Sequence, residues 1–257
     1  MYEQPKTFDE TKKLISSHVG TELGKYPLKF VAPAYFGARP QLGLPAHVNS
    51  GSASLLRLNG QAYVLTCWHV LEGYRQRMVE GTCIFQVGNC ELDPLAQLKS
   101  ESKSLDYALI WITDGQVKKI AKPSGSFDGK FFCELAQWPP SEVKEGDYVA
   151  FGGFPGDLRR AVSFDELSFG SYSSGATQIT SARDDYFVCH FESEHWVSHG
   201  FEPEPNTIRG MSGAPVFAIR YSGAGIMTYD FVGHIIEFHE DFKLLYVRLA
   251  RALPIVS

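Results

Sequence analysis

The stretch Ala53-Ser-Leu-Leu-Arg-Leu-Asn-Gly-Gln-Ala-Tyr-Val-Leu-Thr66 contains two apolar runs separated by Asn59-Gly60. Asn-Gly is the residue pair that type I′ hairpin turns favour, because both turn positions take a positive φ. The stretch therefore predicts a β-hairpin. Cys67-Trp68-His69 follows it, which is expected to place a histidine at the rim of the sheet.

Similar short runs, bounded by Gly, Pro, Asn and Asp, recur along the chain, while long helical periodicity is nearly absent. This pattern favours an all-β fold of many antiparallel strands. Further strands are predicted over residues 83–87, 107–112, 147–152, 185–191, 214–220, 231–238 and 244–249.

Turn-forming residues predict a linker near the middle of the chain, either at 122–129 or at 138–141. Residues 8–18 have a rough helical spacing of apolar side chains, with acidic residues in the first turn. We therefore expect an N-terminal extension with a short helix over residues 1–25, a first β unit over 26–130 and a second over 141–257.

Composition excludes several classes of protein. Of the 257 residues 44% are hydrophobic and 21% are charged, which is ordinary for a globular protein. The formal net charge is -5 and the basic residues are scattered, so no nucleic-acid partner is expected. The chain has no apolar stretch of transmembrane length, so no membrane partner is expected.

The chain has five cysteines, an odd number, and no Cys-x-x-Cys pair. This pattern predicts reduced thiols, with neither a disulfide framework nor a zinc site. The first residues lack the basic start and apolar run of a secretory signal. A cytoplasmic location is the resulting expectation.

The segment Gly210-Met-Ser-Gly-Ala-Pro215 holds a serine between two glycines. Glycine lets the main chain adopt angles closed to other residues, so the N–H groups of Gly210 and Ser212 are candidates for an oxyanion hole. A serine hydroxyl is a poor nucleophile at neutral pH, so Ser212 also needs a general base and a group that orients the base.

His69 is the candidate base, and Asp106, just before the apolar run Tyr107–Ile112, is the candidate orienting residue. Taken singly, each has a plainer interpretation: a rim histidine, a turn or cap aspartate, a serine in a tight turn. The order His, Asp, Ser along the chain differs from that of subtilisins and α/β-hydrolases. The Gly-x-Ser-x-Gly elbow is also not met, because Ala214 stands at its fifth position.

Together these segments resemble the trypsin-like peptidases, in particular the bacterial branch with the HtrA and glutamyl-endopeptidase groups. The matching motifs are Thr66-Cys-Trp-His69, Asp106-Tyr-Ala-Leu109 and Gly210-Met-Ser-Gly-Ala-Pro215, and the resemblance covers residues 45–240. It implies two antiparallel β-barrels with the active site in the cleft between them. It also implies a serine endopeptidase with His69, Asp106 and Ser212 as its triad, and protein or peptide substrates.

Two residues depart from the pattern of secreted trypsins. Met211 stands where those enzymes carry the aspartate that pairs with a newly cut N-terminus, and Val70 replaces a disulfide cysteine. We therefore expect no activation by N-terminal cleavage.

By the same resemblance, Asn206, Thr207, Arg209 and His234 are expected to line the pocket for the residue before the scissile bond. Asn206 stands where trypsins that cut after Lys or Arg carry aspartate. A polar or acidic preference is the resulting hypothesis.

The segment His190-Phe-Glu-Ser-Glu-His195-Trp-Val-Ser-His199 is the other cluster of titratable residues. A metal site is one interpretation, but the segment lacks His-Glu-x-x-His and is expected to form strand and loop. A loop beside the cleft is the default, and no metal or cofactor is expected.

Two other functions stay open at this stage. The first is a catalytically idle trypsin-like module that serves in binding, and the second is an esterase or acyl-transfer enzyme with the same triad. A regulatory partner is also left open.

Overall fold

The structure is a computed structural model that describes residues 22, 24–39, 48–125, 127–191, 205, 207–221 and 227–254. The predicted helix over 8–18, the predicted pocket residue Asn206 and the segment from 192 to 199 lie outside these residues.

The first unit is an eight-stranded sheet that curls into a half-barrel. Its path runs β5-β4-β1-β2-β3-β7-β6, with antiparallel neighbours, and β8 pairs in parallel with β2. The strands are β1 (Val31–Gly37), β2 (Val48–Leu58), β3 (Gln61–Thr66), β4 (Ile84–Val87), β5 (Cys90–Leu92), β6 (Leu98–Ser102), β7 (Tyr107–Ile112) and β8 (Cys133–Leu135).

The second unit is a closed barrel in the order β12-β13-β16-β15-β14-β9. All of its strand pairs are antiparallel. Its strands are β9 (Tyr148–Gly153), β12 (Tyr172–Ala182), β13 (Tyr186–His190), β14 (Pro215–Tyr221), β15 (Met227–His239) and β16 (Leu244–Leu249), and β10 (Arg159–Ala161) pairs separately with β11 (Leu167–Phe169).

The hairpin that the sequence predicts is confirmed. Strands β2 and β3 pair from Leu58 and Gln61 outward, and the turn residues Asn59 and Gly60 have φ values of 51° and 79°. Two positive φ values in succession are the signature of a type I′ turn. Strands β7 and β16 also begin and end where the apolar runs predict.

Two helices in the first unit were not predicted: α1 (Trp68–Val79) and α2 (Asp114–Ala121). His69 consequently lies in the first turn of α1 and not at the rim of a strand. Only three side chains of α1 are buried and they all lie in its first seven residues, so the sequence has little helical periodicity. Helix α2 does carry a sequence signal, the Thr113–Gln116 capping box.

Apolar clusters fill each unit, and a third lies between them. In the third cluster Leu65 and Tyr107 of the half-barrel pack with Phe217 and Phe231 of the barrel. Burial of one such side chain contributes about 1.5–3 kcal/mol to stability. The shared cluster therefore fixes the two units against each other, and with them the cleft described below.

Within the described ranges, no helix has the length and apolar character needed to cross a membrane. The five cysteines are all unpaired, and only Cys83 among them is partly exposed.

Candidate active site

One cleft of about 490 Å³ collects the three residues that the sequence proposes as a triad. Helix α1 and the β6–β7 turn supply His69 and Asp106 from the half-barrel, and the turn before β14 supplies Ser212 from the barrel. The other lining residues are Ile208, Arg209, Gly210, Ile235, Ile236, Glu237 and Phe238.

His69 and Asp106 form a tightly bonded pair. Nδ1 of His69 lies 2.9 Å from Oδ2 and 3.1 Å from Oδ1 of Asp106, and the backbone N–H of His69 donates to Oδ1 at 3.1 Å. A carboxylate only accepts hydrogen bonds, so Nδ1 carries the proton and Nε2 has the lone pair. The His69 side chain is 49% exposed, which leaves it open to the cleft.

The environment of Asp106 keeps its carboxyl ionised. Burial raises the pKa of Asp106, but the hydrogen bond and the charge interaction with His69 outweigh burial, so the pKa lies below its usual value. At neutral pH the carboxylate can therefore stabilise an imidazolium at His69.

The backbone of Asp106 is also unusual. It has a φ of 50°, a region that few residues other than glycine enter and that aspartate tolerates. The turn that begins at Lys103 ends here, and the next residue, Tyr107, is buried in the cluster between the units. The strand that starts at Tyr107 thus anchors Asp106 on one side.

Cys67 lies beside this pair and is fully buried. Its thiol is 3.2 Å from the carbonyl oxygen of Ile235, and its Sγ, an imidazole nitrogen of His69 and a carboxylate oxygen of Asp106 all lie within 4.8 Å of one another. Burial, followed by the nearby Asp106 carboxylate, raises the pKa of the Cys67 thiol well above its usual value. The thiol is therefore protonated, which makes it a poor nucleophile and a poor metal ligand.

The turn that holds Ser212 depends on its two glycines. Gly210 and Gly213 have φ values of 94° and 91°. A Cβ at Gly213 would lie 2.1 Å from the carbonyl oxygen of Ser52, and one at Gly210 would lie 2.8 Å from the nitrogen of Gly156. Only glycine fits these positions without movement of the backbone.

The peptide between Arg209 and Gly210 has a fixed orientation. Its carbonyl oxygen accepts a hydrogen bond from the N–H of Gly156 at 2.7 Å. The C=O and N–H of a trans peptide point in opposite directions, so the Gly210 N–H points away from Gly156. Within the described part of the chain, neither this N–H nor that of Ser212 has an acceptor.

A buried hydroxyl on β2 ties this turn to the half-barrel. The Oγ of Ser52 donates to the carbonyl oxygen of Gly210 at 3.1 Å and accepts from the N–H of Phe154 at 3.1 Å. The neighbouring Ser54 donates to the carbonyl oxygen of Gly213 at 2.8 Å. The sequence signal is the run Asn49-Ser-Gly-Ser-Ala53, to which sequence reasoning assigned no contact.

The Ser212 hydroxyl is directed elsewhere. Its Oγ lies 3.5 Å from the carbonyl oxygen of Ile236, and among the described residues no hydrogen bond joins it to His69. The structure therefore brings Ser212 and His69 to one cleft without a direct bond between them.

Comparison with protein-family models gives no match, and comparison with curated proteins gives none either. Among solved structures, the chain is similar to the Rv3671c protease from M. tuberculosis in its active form, with 13% identity, TM-score 0.44, and coverage of 92% of this chain and 81% of that chain. It is similar to a Glu endopeptidase in complex with MPD, with 14% identity, TM-score 0.39, and coverage of 86% and 85%. A serine protease of a human pathogenic astrovirus gives 10% identity, TM-score 0.38, and coverage of 85% and 88%.

The strand order and the cleft between a half-barrel and a closed six-stranded barrel define the architecture. The fold is chymotrypsin-like. The expected fold class is thereby confirmed, with α1 and α2 as additions.

Two of the expected pocket residues contact an acidic side chain of the chain itself. The hydroxyl of Thr207 donates to the carboxylate of Glu240, and Nε of Arg209 lies 3.3 Å from the same carboxylate. Arg209 lines the cleft and its side chain is 78% exposed. Sequence reasoning did not find Glu240, because no motif includes it.

His234 is not where the sequence analysis expected it. Its side chain is fully buried, does not line the cleft, and has Nε2 3.2 Å from the carbonyl oxygen of Asp106. Burial lowers its pKa to about 4, so the ring is neutral at pH 7. The side chain faces the half-barrel beneath Asp106, which corrects the expectation that it forms a pocket wall.

Proposed function

We propose that the chain is a serine endopeptidase in which Ser212 is the nucleophile, His69 the general base and Asp106 the residue that orients His69. The observation that carries the proposal is the bond from His69 Nδ1 to the Asp106 carboxylate at the edge of the cleft that Ser212 also lines. This bond fixes the tautomer in which Nε2 is able to accept a proton.

In the proposed reaction, the Ser212 hydroxyl turns from the Ile236 carbonyl towards Nε2 of His69. Oγ then attacks the substrate carbonyl carbon while its proton passes to Nε2, and Asp106 stabilises the imidazolium that forms. The tetrahedral intermediate collapses as Nε2 returns the proton to the leaving amine. Water then attacks the acyl-enzyme carbonyl carbon while its proton passes to Nε2, and the second intermediate collapses as Nε2 returns that proton to the departing Oγ of Ser212, which releases the acid product.

The oxyanion of both intermediates is proposed to bind the N–H groups of Gly210 and Ser212. Two features support this: Gly156 holds the Arg209 carbonyl away, and both N–H groups lack an acceptor among the described residues. Donors that are fixed before the reaction need no reorganisation when charge develops.

We also propose that the enzyme needs no cleavage of its N-terminus to become active. Met211 is fully buried in the apolar cluster of the barrel, which also contains Ala214 and Phe151. Apolar packing can hold the Ser212 turn there without a charged partner for residue 211. If only a truncated form hydrolysed substrate, this part of the proposal would be wrong.

A polar or acidic preference before the scissile bond remains our proposal for specificity. Its support is now the pair Thr207 and Arg209, which already binds one carboxylate, that of Glu240. Cleavage of a peptide library tests it, and strong cleavage after Lys or Arg would contradict it. We place the enzyme in the cytoplasm, and the unpaired thiols support such a reducing compartment.

One observation favours a second function. The Ser212 hydroxyl is near Ile236 and has no described bond to His69, which suits a catalytically idle module that binds a partner through the cleft. Such a protein would keep the fold without activating the serine.

A fluorophosphonate probe separates these functions, because it labels only a serine that is activated as a nucleophile. We expect the wild type to be labelled and to cut peptides, Ser212→Ala to be inert, and the exposed control Ser163→Ala to react like the wild type. An unlabelled wild type would favour the idle module. Labelled protein that cuts esters but not peptides would favour an esterase.

A further inference from the structure

His234 is a buried titratable side chain that the proposed mechanism does not use. It lies on β15 of the barrel, opposite Pro215 and Arg248, yet its ring reaches Asp106 of the half-barrel. It is thus a direct side-chain link from the second unit to the acidic residue of the proposed triad.

The protonation of His234 follows from its partner. A carbonyl oxygen only accepts, so Nε2 of His234 must carry a proton and donate it to Asp106. Nδ1 is buried and has no partner among the described residues. Because burial holds the ring neutral at pH 7, His234 acts as a hydrogen-bond donor and not as a charge.

Asp106 needs such a donor because its carbonyl oxygen lies outside the β ladder. Its φ of 50° turns its peptide groups out of the β ladder, and no backbone N–H in the described ranges donates to its carbonyl oxygen. A carbonyl oxygen that is shielded from water and has no donor destabilises the folded state. The same residue must hold its carboxylate towards two N–H groups of His69.

We propose that His234 is a positioning residue for Asp106: its Nε2–H holds the Asp106 carbonyl and thereby aims the carboxylate at His69. The proposal rests on the proposed function and goes further, since it assigns His234 to the support of Asp106 and not to the substrate pocket. Docking of the barrel on the half-barrel then completes the acid–base pair.

Two amide substitutions test this contact. The side chain of His234→Gln extends an N–H to about the position of Nε2, whereas that of His234→Asn is one methylene too short. We expect kcat of His234→Asn to fall about 100-fold, the scale of an ångström misplacement in an active site. We expect KM to change little and His234→Gln to recover most of kcat.

The pH profile of kcat/KM distinguishes a positioning role from a packing role, because loss of packing alone would not change the pH of its acidic limb. With the carboxylate misaligned, His69 loses stabilisation of its protonated form, so the acidic limb should move to lower pH in His234→Asn and return in His234→Gln. An unchanged acidic limb of kcat/KM together with an altered KM or residue preference would overturn the proposal, because His234 would then act on substrate binding.

A measurement independent of activity separates this proposal from the proposed function. The proton on His69 Nδ1, bonded to Asp106, gives a low-field proton NMR resonance that we expect in the wild type and in His234→Gln but shifted or lost in His234→Asn. Equal resonances in all three proteins would contradict the positioning role, whether or not the chain cuts peptides. If His234→Asn does not fold, His234→Leu, which is similar in size and has no donor, replaces it in the same comparison.

Discussion

The two sides of the cleft are organised by different means. On the half-barrel side, side chains bond to side chains, with His69 and Asp106 2.9 Å apart. On the barrel side the backbone sets the geometry, since Gly210 and Gly213 take positive φ values and the peptide between Arg209 and Gly210 is tied to Gly156. The proposed acid–base pair of His69 and Asp106 is therefore already bonded, whereas the proposed nucleophile Ser212 has its backbone in place and its hydroxyl near the Ile236 carbonyl.

The largest effect on kcat is expected from Asp106→Asn, which changes only the half-barrel side of the cleft. The amide holds the imidazole of His69 in the wrong tautomer, which for such a triad lowers kcat about 10⁴-fold. The exposed control Asp128→Asn should keep wild-type kinetics. Steady-state kinetics on one peptide substrate measure both. Equal kcat for the two variants would remove Asp106 from the mechanism.

Gly210→Ala changes the backbone geometry on the barrel side of the cleft. Its Cβ would press on Gly156, so the peptide must move and the Gly210 N–H leaves its place. Loss of one such donor lowers kcat by about 10²–10³-fold. Gly146→Ala is the matched control, because Gly146 has a φ of 88° and open space around a Cβ.

Measured together, these two variants distinguish strain from contact. Both pay for a positive φ, so both should lose stability in urea unfolding. Only Gly210→Ala should lose activity as well. A similar loss of kcat in Gly146→Ala would mean that backbone strain, and not the position of the donor, explains the effect.

His234, which links the two sides of the cleft, predicts that the free energy of unfolding depends on pH. The pKa of His234 is about 4 in the folded protein against 6.5 in the unfolded chain, so its contribution is complete above pH 6.5 and is lost as pH falls towards 4. The loss is about 3 kcal/mol for this shift. The charged or titratable groups that act on His234 are Asp106, Arg248 and His69.

Urea unfolding at several pH values between 7 and 4 measures this contribution. His234→Gln should show a flatter decline in its free energy of unfolding than the wild type, because the titrating group is gone. The exposed control His239→Gln should keep the wild-type slope. Parallel curves for all three proteins would show that His234 is not buried and neutral.

The sequence could predict the parts of the fold that local chemistry determines. Asn59-Gly60 determines the hairpin turn, and the apolar runs Tyr107–Ile112 and Leu244–Leu249 coincide with two strands. It could not predict β6 or β12. Both are rich in small or polar residues, and the ladders with their neighbouring strands hold them extended.

The site shows the same division. The triad segments are short motifs that the sequence displays, whereas the direction of His234 depends on tertiary structure. Its ring reaches the Asp106 carbonyl of the other unit, 128 residues away in sequence, and no local pattern encodes that contact. For this reason the resemblance to trypsin-like peptidases predicted His234 in the pocket, although it lies beneath Asp106.

The smallest effect, and the sharpest test of how separate the two sides are, is expected from Ser52→Ala. Ser52 belongs to the half-barrel, but its hydroxyl serves the barrel side through Gly210 and Phe154. Its removal leaves buried backbone groups unpaired, at a cost of about 1–3 kcal/mol in the free energy of unfolding. The turn should loosen enough to lower kcat about tenfold, less than the loss of a donor itself.

The side on which Ser52 acts is visible in the pH profile. If Ser52 acts through the turn, fluorophosphonate labelling of Ser212 should slow while the acidic limb of kcat/KM, which reports His69, stays in place. A shift of that limb would mean that Ser52 acts on the acid–base pair as well, and the two sides would then not be independent. Reduced stability with unchanged kcat would confine Ser52 to holding the units together.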